Sequence, residues 1–220
     1  MVARVLVKEK GKTTEEAAGI MLATALDATH KSILVFTEVI AYLLDHPKYW
    51  QAIQDLASQD TPAADEKLMR WVLEAQRIAV DLWIVRTPTK DDPNTLLRGT
   101  EGTGEDKKEV TRTVRKDDIL VLKVKPASQD PDAFPNPSEI NLDRPLSSYI
   151  YFGRSDGAPF HGKQLTLLGL TGLIKYAARL KRLRAAHDSC GKLKTVETPV
   201  RDGYWYMTVQ WDQIVPFPSS

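Results

Sequence analysis

Asp27 and His30 stand three residues apart inside AAGIMLATALDATH (17–30), a run that is otherwise almost wholly apolar. Residues at i and i+3 of a helix share a face, so a carboxyl and an imidazole placed this way form a candidate acid–base pair. A carboxyl group desolvated by such surroundings tends to keep its proton, which suits a general acid. Asp156 and His161, in FGRSDGAPFHG (152–162), could add groups from a loop. The plainer alternative is that Asp27 and His30 satisfy each other or face water. The same i, i+3 spacing joins Glu74 to Arg77. Cys190 is the single cysteine, which excludes a disulfide framework and any multi-cysteine zinc site.

The elements that must carry these residues are readable in outline. Thr13 followed by Glu16 reads as a capping box, opening a long helix over 14–44. His46-Pro47 ends it, and Pro47 opens the next helix. Thr61-Pro62 repeats that signal before a third helix over 62–81, with Leu68, Val72, Ala75 and Ala79 on one face. Leu82 to Arg86 is a short strand candidate. Residues 87–108 carry Pro, Gly and charge with almost no apolar side chain, and read as a mobile loop or insertion. EVTRTVR (109–115) and DILVLKV (118–124) read as a hairpin turning near Lys116-Asp117. The proline-rich stretch 126–148 reads as ordered coil. A helix is predicted over 163–186, with Leu165, Leu168, Leu173 and Tyr176 inward and Arg179, Lys181, Arg182 and Arg184 gathered at its C-terminus. LKTVET and YWYMTV, joined around Arg201-Asp202-Gly203, form a final hairpin.

The chain has 220 residues, 42% hydrophobic and 27% charged, which suits one globular domain spanning 1–220. Thirty Lys and Arg against 29 Asp and Glu leave a net charge of +1, and no basic footprint for nucleic acid. No apolar stretch is long enough to span a bilayer. The first residues lack the apolar core of a secretory signal, so cytoplasmic residence is the expectation.

In this order, the pieces resemble the C-terminal half of a cytochrome P-450. They are closest to the haem-thiolate domain of the fungal linoleate diol synthases and psi-factor-producing oxygenases. Glu74-Ala-Gln-Arg77 matches the Glu-x-x-Arg of that fold's K helix. Ser128-Gln-Asp-Pro-Asp-Ala-Phe-Pro-Asn-Pro followed by Asn141-Leu-Asp-Arg144-Pro matches the segment that supplies its second arginine. Leu146-Ser-Ser-Tyr-Ile-Tyr-Phe-Gly153 leads into the haem loop. Thr61-Pro-Ala-Ala-Asp-Glu-Lys-Leu and Tyr206 to Pro218 resemble the same subfamily. The implied fold is mostly α with small β-hairpins, an α+β truncated P-450-like fold. Glu74, Arg77 and Arg144 are then a structural clamp, fixing coil to helix. Buried, such a trio must be complete, because an unpaired charge there costs several kcal/mol.

The sequence departs from the pattern where the iron would be held. The family's loop reads Phe-Gly-x-Gly-Pro-His-x-Cys-x-Gly. Here it reads Phe152-Gly-Arg-Ser-Asp-Gly-Ala-Pro-Phe-His-Gly162, without cysteine. Alignment on Gly162 puts Phe160 at the ligand position, and alignment on Phe152 puts Pro159 there. Cys190 lies beyond the following helix. A thiolate pushes electron density onto iron and favours O–O cleavage, so ordinary monooxygenase chemistry is expected to fail. His161 is the one nearby residue able to bind iron. The resemblance also places the subfamily's Asn and Gln of the long helix at Lys31 and Leu34, neither of which replaces an amide.

These readings together predict a repurposed enzyme of fungal secondary or oxylipin metabolism. It would bind an apolar lipid, polyketide or terpenoid and carry out redox-neutral isomerisation or cyclisation without a cofactor. The alternatives are a non-catalytic binding partner, a fragment without function, and a haem protein of altered ligation. With AAGIMLATALDA and LTLLGLTGLI left partly bare, a homo-oligomer, a partner protein or a bound apolar molecule is expected to cover them.

Overall fold

The structure, a computed structural model, describes residues 2–101, 108–152, 163–187, 191–192, 194–196, 203–206 and 209–214; side chains at 2–3, 26–31, 93–96, 99–101, 152, 194–196, 203–206 and 213–214 are not among those described. Helix α1 (Val2–Lys8) precedes the 31-residue α2 (Thr14–Leu44). The Thr13 hydroxyl accepts the Glu16 N–H at 3.1 Å, and the Glu16 carboxylate accepts the Thr13 N–H at 2.9 Å. This reciprocal cap satisfies two of the donors that every helix start leaves over. Pro47 stands at the first turn of α3 (Pro47–Ala57). Thr61 accepts the Ala64 N–H at the start of α4 (Pro62–Ala79), with Pro62 just inside.

The core forms where the C-terminal half of α2 meets α3, α4 and α6 (Lys163–Ala178). Val39, Leu43, Ile53, Leu68, Val72 and Ile174 are all fully buried there. Leu68, Val72 and Ala75 of α4 face this core, while Ala79 is only half-buried. The first half of α2 behaves differently: from Thr14 to Ala25 only Ala17 is buried.

Four findings differ from the sequence reading. Residues 87–108 are not simply a loop: β2 (Asp92–Glu101) pairs antiparallel with β3 (Lys108–Val114), with a bulge between Asp92 and Leu96. The hairpin is mostly exposed where its side chains are described, so no apolar alternation marked its first strand. Residues 109–115 accordingly do not pair with 118–124. β4 (Leu120–Lys123) instead pairs antiparallel with β1 (Trp83–Arg86). The chain swings away between β3 and β4 because Asp117 takes φ 65, the Asp118 carboxylate accepts the Arg115 N–H, and Asp91 accepts the Lys116 N–H. A one-turn helix, α5 (Val124–Ala127), follows β4 directly.

The helix predicted over 163–186 stops at Ala178. The next residues are good helix formers, yet Arg182 takes φ 52 and turns the chain into two short strands. β5 (Leu180–Lys181) and β6 (Arg184–Ala185) are each paired with the C-terminal tail. β7 (Lys194–Val196) pairs with β8 (Gly203–Tyr206), β6 with β9 (Val209–Gln210), and β5 with β10 (Gln213–Ile214). Arg182 and Arg184 do not decorate a helix end: both reach Asp212, at 2.6 and 3.2 Å. Finally, α6 is turned about its axis from the expected orientation. Leu167, Leu170, Thr171 and Ile174 are inward, whereas Leu165, Leu168, Leu173 and Tyr176 are exposed. Both stripes are apolar at helical spacing, so periodicity alone did not choose between them.

Candidate functional site

The Glu74 carboxylate, fully buried on α4, accepts five hydrogen bonds. Its Oε1 accepts Arg77 Nε at 2.9 Å and the Tyr149 hydroxyl at 2.9 Å. Its Oε2 accepts Arg77 Nη2 at 2.9 Å, the Asn141 N–H at 2.9 Å and Arg144 Nε at 3.3 Å. An ionised carboxylate offers about four lone-pair sites, so this one is saturated. Burial alone would raise its pKa. The hydrogen bonds from Arg77 and Asn141, the Arg77 charge and the Tyr149 hydroxyl outweigh burial and hold it below the usual carboxylate range.

Two guanidinium groups face one carboxylate, and backbone carbonyls take up the surplus positive charge. Arg77 Nη1 donates to Ser128 O at 3.1 Å and Pro137 O at 2.6 Å, and Nη2 donates to Glu139 O at 3.0 Å. With its two bonds to Glu74, Arg77 has used all five of its N–H donors. Arg144 Nη2 donates to Pro135 O and Asn136 O. The Phe134 ring lies 5.4 Å from one guanidinium and 5.7 Å from the other, a cation–π arrangement. Glu74, Arg77 and Arg144 thus meet and fasten coil 128–149 onto α4. Arg70, one turn earlier on that face, adds bonds to Leu142 O and Arg144 O.

A second seam holds the end of α4. The Tyr151 hydroxyl lies 2.8 Å from Gln76 O and 3.1 Å from Val80 O, Lys125 Nζ donates to Ala79 O, and Gln129 Nε2 to Ile78 O. Those to Ile78, Ala79 and Val80 satisfy carbonyls that a helix C-terminus leaves over, while Gln76 O also accepts the Val80 N–H. Buried Glu38 of α2 accepts the Asp81 N–H at 3.0 Å. Burial, and then the neighbouring charge of Glu38, pushes the Tyr151 hydroxyl far above its ordinary pKa; burial and then Glu74 do the same to Tyr149. Sequence reasoning assigned no role to Tyr149, Tyr151, Ser128, Phe134, Arg70 or Glu38. The aromatic alternation in Ser-Ser-Tyr-Ile-Tyr-Phe was the available signal.

Neither seam has a free acid, base or nucleophile, so their chemistry is positioning. The catalytic candidates lie elsewhere. Asp27, His30 and Lys31 are on the backbone of α2, but their side chains are outside the described residues, as are Asp156, Pro159, Phe160, His161 and Cys190 altogether. Leu34 is half-buried on α2. A cleft of about 490 Å3, lined by Lys67, Asn136, Glu139, Asn141 and Asp143 among others, includes none of the catalytic candidates. Among the described residues no cluster of His, Cys, Asp or Glu could hold a metal ion, and no helix is long and apolar enough to cross a membrane. Exposed apolar side chains include the stripe on α6 and the outer turns of α2, where Leu165 is 78% and Leu22 62% exposed, and Ile119 just before β4, at 73%.

Solved structures share this fold. CalO2 matches 94% of the chain and is itself covered to 46%, with a TM-score of 0.67 at 19% identity. The heme domain of a cytochrome P-450 mutant matches 91% of the chain, covered to 45%, with a TM-score of 0.62 at 18% identity. The chain has a cytochrome P-450-like fold. It spans about half of those P-450 chains. In sequence it is similar to the linoleate 10R-lipoxygenase of Aspergillus fumigatus, 30% identical over 81% of the chain and 15% of that enzyme. The linoleate diol synthase of Gaeumannomyces graminis is 28% identical over 91% of the chain and 19% of its own length. The psi-producing oxygenase A of Emericella nidulans is 28% identical over 91% and 18%. The chain therefore spans under a fifth of the curated relatives it matches. No family model matches it.

These likenesses correct the expectation of a protein without a cofactor. The homologues and structural neighbours are haem-thiolate P-450 and dioxygenase-type proteins, which carry haem. The expectation had rested on one missing sulfur. Loss of a thiolate removes one kind of axial donor but leaves the apolar walls, and imidazole also binds haem iron. Toward that group the described residues offer one apolar face, the exposed stripe of α6, with open space where side chains at Gly169 and Gly172 would stand. The sequence departs in the donor, since 153–162 contains His161 and no cysteine.

Proposed function

We propose that this chain is a P-450-like haem protein of fungal oxylipin metabolism, with altered iron ligation, that rearranges an apolar, fatty-acid-derived compound without net oxidation. The observation that supports it most is the conjunction of an intact Glu74–Arg77–Arg144 clamp with an uncovered apolar stripe on α6. The clamp fixes the coil that leads into residues 153–162, and the stripe offers the apolar wall against which a porphyrin and a lipid chain can lie. In this reading His161 would hold the haem iron, and the bound group would supply a Lewis-acidic centre. Asp27 and His30 supply the proton chemistry from α2: the imidazole takes a proton from one carbon and the carboxyl group returns one to another, so no oxidant or reductant is consumed. Asp156 adds a polar group from the loop. The relatives named for linoleate support an unsaturated fatty-acid derivative as the substrate class.

The test is an absorption spectrum of the full chain produced with a haem precursor, followed by mass spectrometry of products from a linoleate hydroperoxide. The expected result is a Soret band whose reduced carbon-monoxide complex has the position of an imidazole-ligated haem, changed by His161→Ala, with products isomeric to the substrate. A thiolate-type carbon-monoxide spectrum, or no porphyrin retained, refutes the reading.

A further inference from the structure

We propose that Tyr151 is a positioning residue, whose hydroxyl pins the chain to the last turn of α4 just before it enters residues 153–162. The role rests on the reading that His161, within that segment, holds the haem iron. The ring of Tyr151 belongs to the main core and is 7% exposed. Packing alone would be met by phenylalanine, and a hydroxyl adds a cost on burial unless it is bonded. This one lies 2.8 Å from Gln76 O and 3.1 Å from Val80 O. The two carbonyls bracket the end of α4, since Gln76 O also accepts the Val80 N–H at 3.0 Å. Ser128, 1% exposed, hydrogen-bonds the same phenol. Burial and the neighbouring Glu38 keep the phenol protonated, so it remains a donor at neutral pH.

A single anchor lets a chain pivot, and two anchors on one rigid element do not. Tyr149, two residues earlier, donates to Glu74 Oε1 at 2.9 Å, so both tyrosines hold the 3-10 turn Ile150–Phe152 against α4. Their roles differ. The Tyr149 hydroxyl serves a buried carboxylate and belongs to the clamp. The Tyr151 hydroxyl serves neutral carbonyls, and Gln76 O keeps its helix bond without it. Losing that hydroxyl leaves the clamp and α4 intact but removes the second anchor. Beyond the segment, α6 is fixed by buried Leu167 and Leu170. The exit is thus held by packing and the entry by this hydroxyl. A working donor must be held to within about 0.5 Å and 10–20°, which a pivoting entry does not provide.

Two readouts on the full chain test this, one of them without haem. Arg154 is the one Lys or Arg in 153–162, so tryptic cleavage after it reports opening of that segment. Tyr151→Phe should speed this cleavage roughly fivefold in the haem-free chain, the scale of one lost hydrogen bond. Cleavage at other sites and the far-ultraviolet circular-dichroism spectrum should stay as in wild type, whereas a purely structural loss would speed every site together. Ser128→Ala should act in the same direction. In the haem-loaded chain, Tyr151→Phe should shift the Soret band of the reduced carbon-monoxide complex, with Tyr49→Phe as an unchanged control. A wild type that retains no haem refutes the reading of the site, and the Arg154 rate then still decides the anchor. An Arg154 rate unchanged by Tyr151→Phe, a rise shared by every site, or a loaded spectrum identical to wild type overturns the proposal.

Discussion

Replacing Glu74 by Gln keeps the shape of the side chain and removes its charge. Five donors converge on that carboxylate: two N–H groups of Arg77, one of Arg144, the Asn141 amide and the Tyr149 hydroxyl. An amide has one oxygen to accept with, and its NH2 would face donors on the other side. Arg77 and Arg144 would remain buried with no counter-charge. Breaking a buried ion pair by removing one partner costs about 3–5 kcal/mol. That is a large part of the roughly 5–15 kcal/mol that holds most domains folded. Urea unfolding of wild type and Glu74→Gln, followed by far-ultraviolet circular dichroism at pH 7, should show this difference. The pH dependence carries a second signature. Because the folded carboxyl group is held below its ordinary value of 4.5, its contribution is complete above that value and lost as pH falls through the lower folded one. Wild type should therefore lose its advantage over Glu74→Gln as the solution is acidified below about pH 4.5. A loss under about 1 kcal/mol at pH 7, or a gap independent of pH, would refute the claim that this buried carboxylate holds the coil onto α4.

Other outcomes follow from the same geometry. Tyr149→Phe removes one hydrogen bond to a buried charge and should cost about 1.5–3 kcal/mol in the same unfolding assay. Thr61→Ala removes the α4 cap and should cost about 0.5–2 kcal/mol, whereas Thr61→Ser should cost little. Ile174→Ala, at a fully buried site of α6, should cost about 2–5 kcal/mol. Leu168→Asn, on the exposed stripe of the same helix, should change stability by less than about 0.5 kcal/mol. It should also weaken retention of haem measured by pyridine haemochrome, and unchanged retention would argue that the stripe is not the porphyrin's wall.

What the sequence settled was local. Thr13 with Glu16, and Thr61 with Pro62, are signals whose physics lies within one helical turn, and both caps form where they were read. Glu74 and Arg77 share a face because i and i+3 always do. The likeness to P-450 chains was legible because Glu74-Ala-Gln-Arg77 and Asn141-Leu-Asp-Arg144 occur in the right order at the right distance. The reading that no cofactor is bound went astray because it weighed one missing ligand above the rest of the fold.

Tertiary structure decided whatever required two distant segments to choose each other. Both faces of α6 are apolar, and packing against Val72 and its neighbours in the core selected Leu167 and Ile174 over Leu165 and Leu168. Residues 179–186 favour helix on their own, yet pairing with 209–214 and the Asp212 carboxylate made them strands. β4 found β1 rather than its sequence neighbour because strand propensity does not name a partner, whereas the backbone turn at Asp117 does. Arg77 needed carbonyls from Ser128, Pro137 and Glu139 to exhaust its donors. Those oxygens belong to the backbone, which every residue carries alike, so no choice of side chain could have announced them.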